Sequence, residues 1–288
     1  MARRSFTWGA AMKILSVNDY PMPYIELGSG PPLLAIHGSL GDFRSWSPVM
    51  GPLSKNNRLI IPSLRHFFPD TWDGRGTTYT IAQHVSDTIA FIEALKYGPL
   101  HLMGHSRGGH IAFRVAQQRP DLIRKLILAE PGGELDASLI PPGVTPSAER
   151  TESIVEAGRM IASGDVDGGL EHFIDRIYGK GAWAKQPAAN MQRRRDNAST
   201  VVAQLGEQRP PFSRADASAI IAPTLLIGGE LTKGMLPVVL GALANAIPGA
   251  VKVMIPMAAH SMFEQAPVRF SEIVLDFLGP DSRSRAAR

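Results

Sequence analysis

The chain has 288 residues, 44% hydrophobic and 19% charged, so it can bury a large core and is too apolar for disorder. It has no cysteine, which excludes a disulfide scaffold, thiolate metal sites and a cysteine nucleophile, and no apolar run approaches the ~18 residues of a membrane helix. The net charge of +4 comes from scattered basic residues; Arg193-Arg194-Arg195 and Arg283, Arg285, Arg288 read as a solvated helix face and a frayed tail, so no nucleic-acid partner is expected.

Residues 1–12 read as a flexible extension. Arg3-Arg4-Ser5-Phe6 has the outline of a twin-arginine export signal, but the apolar stretch after it ends at Lys13 and is short for a signal core. A cytoplasmic location is the expectation. Ile14–Val17 and Tyr24–Leu27 then read as paired strands ahead of the turn Gly28–Pro32. The continuous apolar runs Leu33–Ile36 and Arg58–Ile61 read as buried parallel strands. Ile81, Val85, Ile89, Ile92 and Leu95 recur at helical spacing, which predicts an amphipathic helix capped by Thr80. Leu100–Met103 is a strand, a helix carrying Ile111, Ala112, Val115 and Ala116 follows, and Leu126–Ala129 is the next strand. This alternation predicts an α/β fold with a mostly parallel sheet flanked by helices.

Over residues 136–206 strand signals vanish and polar helices take over, at Ala148–Ser163, Val166–Tyr178 and Ala188–Leu205. The block reads as a helical cap inserted between two strands. Strands return at Pro223–Ile227 and Val251–Ile255, and a helix closes the fold over Val268–Leu278. The organisation expected is a core of residues 13–135 and 207–279, a cap of residues 136–206, and a basic tail of residues 280–288.

Gly104-His105-Ser106-Arg107-Gly108 fits Gly-x-Ser-x-Gly and sits between an apolar strand and a helix, where that motif needs to be. A sharp strand-to-helix turn lifts the serine hydroxyl above the sheet, and side chains two residues either side would collide. Ser106 is therefore the candidate nucleophile. The loop Ile36-His37-Gly38-Ser39 can offer the backbone N–H of Ser39 opposite that of Arg107 as an oxyanion hole, with His37 anchoring the loop. Of eight histidines, His260 alone follows the last strand and precedes the closing helix, which makes it the candidate base. His105 and His110 adjoin the serine but are expected to point elsewhere.

With His37-Gly38, the Ser106 elbow, the helical insert and the late His260 in place, the chain resembles the α/β-hydrolase superfamily from Ile14 to Leu278. It is more similar to the bacterial esterase, lactonase and C–C hydrolase-like members with a helical cap than to the large lipases. The resemblance implies acyl transfer to serine and then hydrolysis, with no cofactor and no metal. Aspartate replaces the serine in related dehalogenases and epoxide hydrolases, so Ser106 argues against both. Relatives usually carry their acid after the seventh strand, but Gly229-Glu230-Leu231-Thr232 puts threonine there. Some members carry it after the sixth strand, where this chain has Glu130; Glu130 is the preferred acid and Glu230 the competitor. Relatives also keep a glycine-rich loop where this chain has Ser63–Phe68, so Phe67 and Phe68, with Trp183 of the cap, are expected to line the pocket under an apolar roof. The function expected is cleavage of a small-molecule carboxylic ester or lactone. C–C hydrolysis of a β-diketone or dienoate, or ligand reception on a hydrolase scaffold, are the alternatives.

Overall fold

The computed structural model describes residues 11–76, 78–145 and 149–279. The twin-arginine pattern and the basic tail lie outside the described residues. Eight strands are present: β1 (Lys13–Val17), β2 (Tyr20–Leu27), β3 (Pro32–Ile36), β4 (Arg58–Pro62), β5 (Leu100–His105), β6 (Ile123–Ala129), β7 (Thr224–Gly229) and β8 (Val251–Ile255). They form one sheet in the order β1-β2-β4-β3-β5-β6-β7-β8. The β1–β2 and β2–β4 pairings are antiparallel, and every later pairing is parallel.

Helices α1 (Ser47–Ser54), α2 (Ile81–Leu95), α3 (Arg107–Gln118), α9 (Met235–Ala246) and α11 (Pro267–Leu278) cover the sheet. Period-two alternation sends neighbouring strand residues to opposite layers. Leu34 and Ile36 of β3 join Val85 of α2, Ile111 of α3 and Leu240 of α9 in one core. Leu33 and Ala35 join Val49 of α1 and Phe270 of α11 in the other. Burial on both faces is why the central strands read as unbroken apolar runs. Thr80 caps α2 by accepting the Gln83 N–H at 3.0 Å. Two helices carry no legible helical signal. In α1, Pro48, Gly51 and Pro52 interrupt the pattern, and α9 is apolar nearly all round, so no stripe stands out.

Between β6 and β7 lie α4 (Glu149–Ala162), α5 (Val166–Tyr178), α6 (Ala188–Asp196) and α7 (Ser199–Ala203), followed by α8 (Arg214–Ser218). Their own core joins Ile154, Ile161, Leu170, Phe173, Trp183 and Val201. The two ends of this segment are brought together. Phe212 N–H donates to Glu134 O at 2.8 Å and Asp136 N–H donates to Phe212 O at 2.9 Å. The helices therefore rise from a narrow neck over the carboxyl ends of the central strands. In parallel α/β sheets that edge is where ligands bind. A short helix, α10 (Met262–Gln265), precedes α11. Among the described residues no helix is long and apolar enough to cross a membrane.

Candidate active site

The β5–α3 turn holds Ser106 at φ 51°, ψ −116°, a conformation costly for a residue with a side chain. Three hydrogen bonds hold it there: Ser106 N–H to Ala129 O at 3.0 Å, and Gly132 N–H (2.8 Å) and His110 N–H (3.1 Å) to Ser106 O. The turn is tight enough to demand glycine on both sides. A Cβ on Gly104 would lie 2.1 Å from Gly108 O, and one on Gly108 would lie 2.4 Å from Ile36 O. Arg107 opens α3, so its backbone N–H has no partner within the helix.

Glu130 leaves β6 at φ 39° with its side chain fully buried. Its Oε1 accepts the Gly229 N–H at 2.9 Å, and its Oε2 accepts His260 Nδ1–H at 2.7 Å. That contact fixes the imidazole and leaves Nε2 as the nitrogen available for chemistry. Glu230, by contrast, is exposed, and Thr232 is buried with its hydroxyl unpartnered among the described residues. The side chain that meets His260 is therefore the one after β6.

His37 anchors its loop. Its Nδ1–H donates to Gly38 O at 2.9 Å and its Nε2 accepts the Leu64 N–H at 3.1 Å. Burial pushes its pKa down to about 4, so the ring is neutral. His105 is not turned away from the serine as expected. It lines the same cavity, its ring lies 4.5 Å from that of His260, and its Nε2–H donates to His260 O at 2.8 Å. It braces the loop that carries His260. His110 does point away, donating to Gly132 O and stacking on Phe212.

Ser39, Ser106 and His260 line one cavity of about 410 Å³ beneath the inserted helices. Phe67, Phe68 and Trp183 do not line it. Phe67 is fully buried and packs edge-on against His37 at 4.6 Å, because the space beneath this loop is filled by an aromatic ring. Phe68 lies beside Arg44, whose guanidinium sits 3.8 Å above its ring. Trp183 is buried in the core of the inserted helices under Arg195. The roof is not simply apolar either. Ile154, Phe173 and Ile177 supply apolar surface, and Tyr178, Arg193 and Arg194 stand beside them.

Sequence reasoning missed these arginines by treating Arg193-Arg194-Arg195 as one solvated face. Successive helix positions are about 100° apart, so three in a row cannot all face water on a helix packed along one side. Arg193 and Arg194 are buried, and only Arg195 reaches out to pair with the exposed Asp167 at 2.7 Å. Below the neck, the fully buried Arg107 side chain pairs with Glu207 at 2.7 Å and lies 4.2 Å over the Tyr79 ring. Glu207 also holds Arg209 at 2.7 Å. Burial raises the Glu207 pKa, but the two guanidiniums outweigh it and pull the carboxyl down to about 2.

A family model described as the alpha/beta hydrolase fold matches residues 31–267. A Bacillus subtilis protein named as a candidate 2-succinyl-6-hydroxy-2,4-cyclohexadiene-1-carboxylate synthase is 26% identical over 265 residues, covering 85% of this chain and 89% of its own. The carboxylesterase CesB of Bacillus subtilis superposes with a TM-score of 0.77 at 17% identity, over 94% of this chain and 92% of its own. The enol-lactonase of Burkholderia xenovorans LB400 superposes with a TM-score of 0.73 at 21% identity, over 93% of this chain and 100% of its own. The strand order, the serine turn and the family match converge: this chain belongs to the α/β-hydrolase fold family.

Proposed function

We propose that the protein is a serine hydrolase that cleaves a carboxylic ester or lactone through an acyl-enzyme. The observation that carries this reading is the 2.7 Å contact between His260 Nδ1 and the buried Glu130, in the cavity that the strained Ser106 lines. Ser106 Oγ attacks the carbonyl carbon while His260 Nε2 takes its proton. The tetrahedral oxyanion is held by the N–H groups of Ser39 and Arg107, the latter at the positive end of α3. Collapse breaks the carbon–oxygen bond, and His260 returns the proton to the departing alkoxide. Water, deprotonated by the same ring, then attacks the acyl-enzyme and releases the acid and free Ser106. Glu130 keeps Nε2 aimed at the reaction and stabilises the imidazolium that forms twice per cycle.

The helices of residues 136–206 act in this reading as a cap that selects substrates, over a core of residues 13–135 and 207–279. The test is hydrolysis of p-nitrophenyl esters by the wild type and by Ser106→Ala. The variant is expected to lose at least ~10³-fold in kcat/KM with unchanged circular dichroism. Retention of most activity in Ser106→Ala would refute a serine mechanism.

A further inference from the structure

The wall of the cavity is strongly cationic. Arg176, Arg193, Arg194, Arg209 and Lys233 line it, and Glu264 is the one carboxylate among the described lining residues. That carboxylate is already taken, by Arg193 Nη2 at 2.6 Å. Arg209 shares Glu207 with Arg107, so two guanidiniums divide one negative charge. Arg194 is the decisive residue. It is only 6% exposed, yet among the described residues no carboxylate pairs with it. Its hydrogen-bond partner among the described residues is neutral, Gln186 Oε1 at 3.0 Å, and the Tyr178 hydroxyl is near enough to act on its charge.

A guanidinium this deeply buried keeps its charge, and a buried charge without an opposite partner is costly. Burial drags its pKa below the ordinary arginine value despite the opposing influence of Tyr178 and Glu264. A fold that tolerates this has a use for the charge. The guanidinium also lies close to the chemistry. Tyr178, which lines the cavity with it, bonds Ser261 Oγ, and the Tyr178 ring centre lies 6.2 Å from that of His260. The unpaired cation and the base therefore line one cavity, with Tyr178 beside the base.

Building on the serine-hydrolase reading above, we infer that the substrate is an anion: a short ester or lactone bearing a carboxylate. The carboxylate seats on Arg194 beside Tyr178 while the scissile carbonyl faces Ser106. A planar carboxylate suits the guanidinium fork and supplies the negative charge that Arg194 lacks. The apolar surface of Ile154, Phe173 and Ile177 covers the carbon chain between the two ends.

Two measurements decide this. The first compares kcat/KM for mono-4-nitrophenyl glutarate and for 4-nitrophenyl butyrate. The wild type is expected to favour the anionic ester at least tenfold, and Arg194→Gln to cut that ratio by about tenfold or more. Arg195→Gln, which removes the neighbouring exposed charge, leaves the ratio unchanged. The second is calorimetric binding of monomethyl glutarate and dimethyl glutarate to Ser106→Ala, which needs neither turnover nor a stable Arg194 variant. The monoacid is expected to bind at least tenfold more tightly. Equal binding of acid and diester, or a wild-type ratio near one, overturns the anionic substrate. Ester hydrolysis lost in Ser106→Ala would then leave the hydrolase reading standing. Tight monoacid binding without hydrolysis of either ester would sink the hydrolase reading instead and keep the anion site.

Discussion

Glu130 occupies a position that is expensive in two respects. Its backbone sits at φ 39°, in a region costly for a residue with a Cβ, and its carboxylate is wholly removed from water. Both costs are met locally. The backbone N–H donates to Ile227 O at 3.0 Å, and the two carboxylate oxygens are satisfied by Gly229 N–H and His260. Replacing it with glutamine keeps the shape and removes the charge. Glu130→Gln is expected to lower kcat roughly 10²–10⁴-fold, whereas Glu230→Gln, altering an exposed side chain, costs less than about tenfold. Steady-state kinetics on one ester, with circular dichroism to confirm folding, decides between them; a harmless Glu130→Gln would return the acid to the β7 loop. The contact of His260 with Glu130, in the cavity that Ser106 lines, could be expected from the sequence because each of the three follows a recognisable strand and because Thr232 leaves the usual acid position without a carboxylate. His105 was misread, since the residue before the serine ends β5 and packs against whatever β8 delivers opposite it. The burial of Arg194 was hidden because a run of like charges does not reveal which way its helix turns.

At the scale of elements, strands and amphipathic helices were readable wherever burial leaves a period. The helices between β6 and β7 were readable as elements, but their inward faces were not, because these depend on how four short helices pack. Trp183 illustrates the difference. Its size made it a natural pocket residue, but Asp175 Oδ1 accepts its backbone N–H at 2.8 Å, fixing the turn that carries the ring, and the ring packs in the helical core. Trp183→Ala should therefore act on stability rather than selectivity. The lost packing is expected to cost about 3–5 kcal/mol and to lower the unfolding midpoint, with the ranking of acetyl, butyryl and octanoyl esters unchanged. Phe173→Ala, which removes a ring that does line the cavity, is expected to change that ranking. A reordered series in Trp183→Ala would mean that this tryptophan reaches the substrate after all.

Across the whole molecule, the buried histidines join the sheet, the serine turn and the neck into one acid-sensitive unit. His84 donates through Nε2 to Arg65 O and accepts from Arg107 Nη2 at 3.1 Å; His110 donates through Nδ1 to Gly132 O and accepts from Arg114 Nε at 3.4 Å. In these rings, as in His37, an N–H donor already occupies the nitrogen that would take a proton. Burial is the main cause that holds His84, His105 and His110 well below 6.5, with Arg107, His260 and Arg209 respectively adding to it. His37 falls to about 4 for the same leading reason. A native pKa below the unfolded one means that the unfolded chain binds protons first. The stabilisation is therefore complete above about pH 6.5 and is lost as pH falls toward the native values. At ~1.4 kcal/mol per pH unit, His37 alone accounts for about 3 kcal/mol between neutrality and pH 4. Glu207, held down at about 2, adds its own loss only below the ordinary carboxylate range. Urea unfolding midpoints are thus expected to decline from about pH 6.5, well before carboxylates titrate. His37→Gln removes one such group and should flatten the slope between pH 6.5 and pH 4, even if it lowers stability at pH 7. A midpoint that holds level down to pH 5 would mean that these rings take up protons inside the fold at no cost.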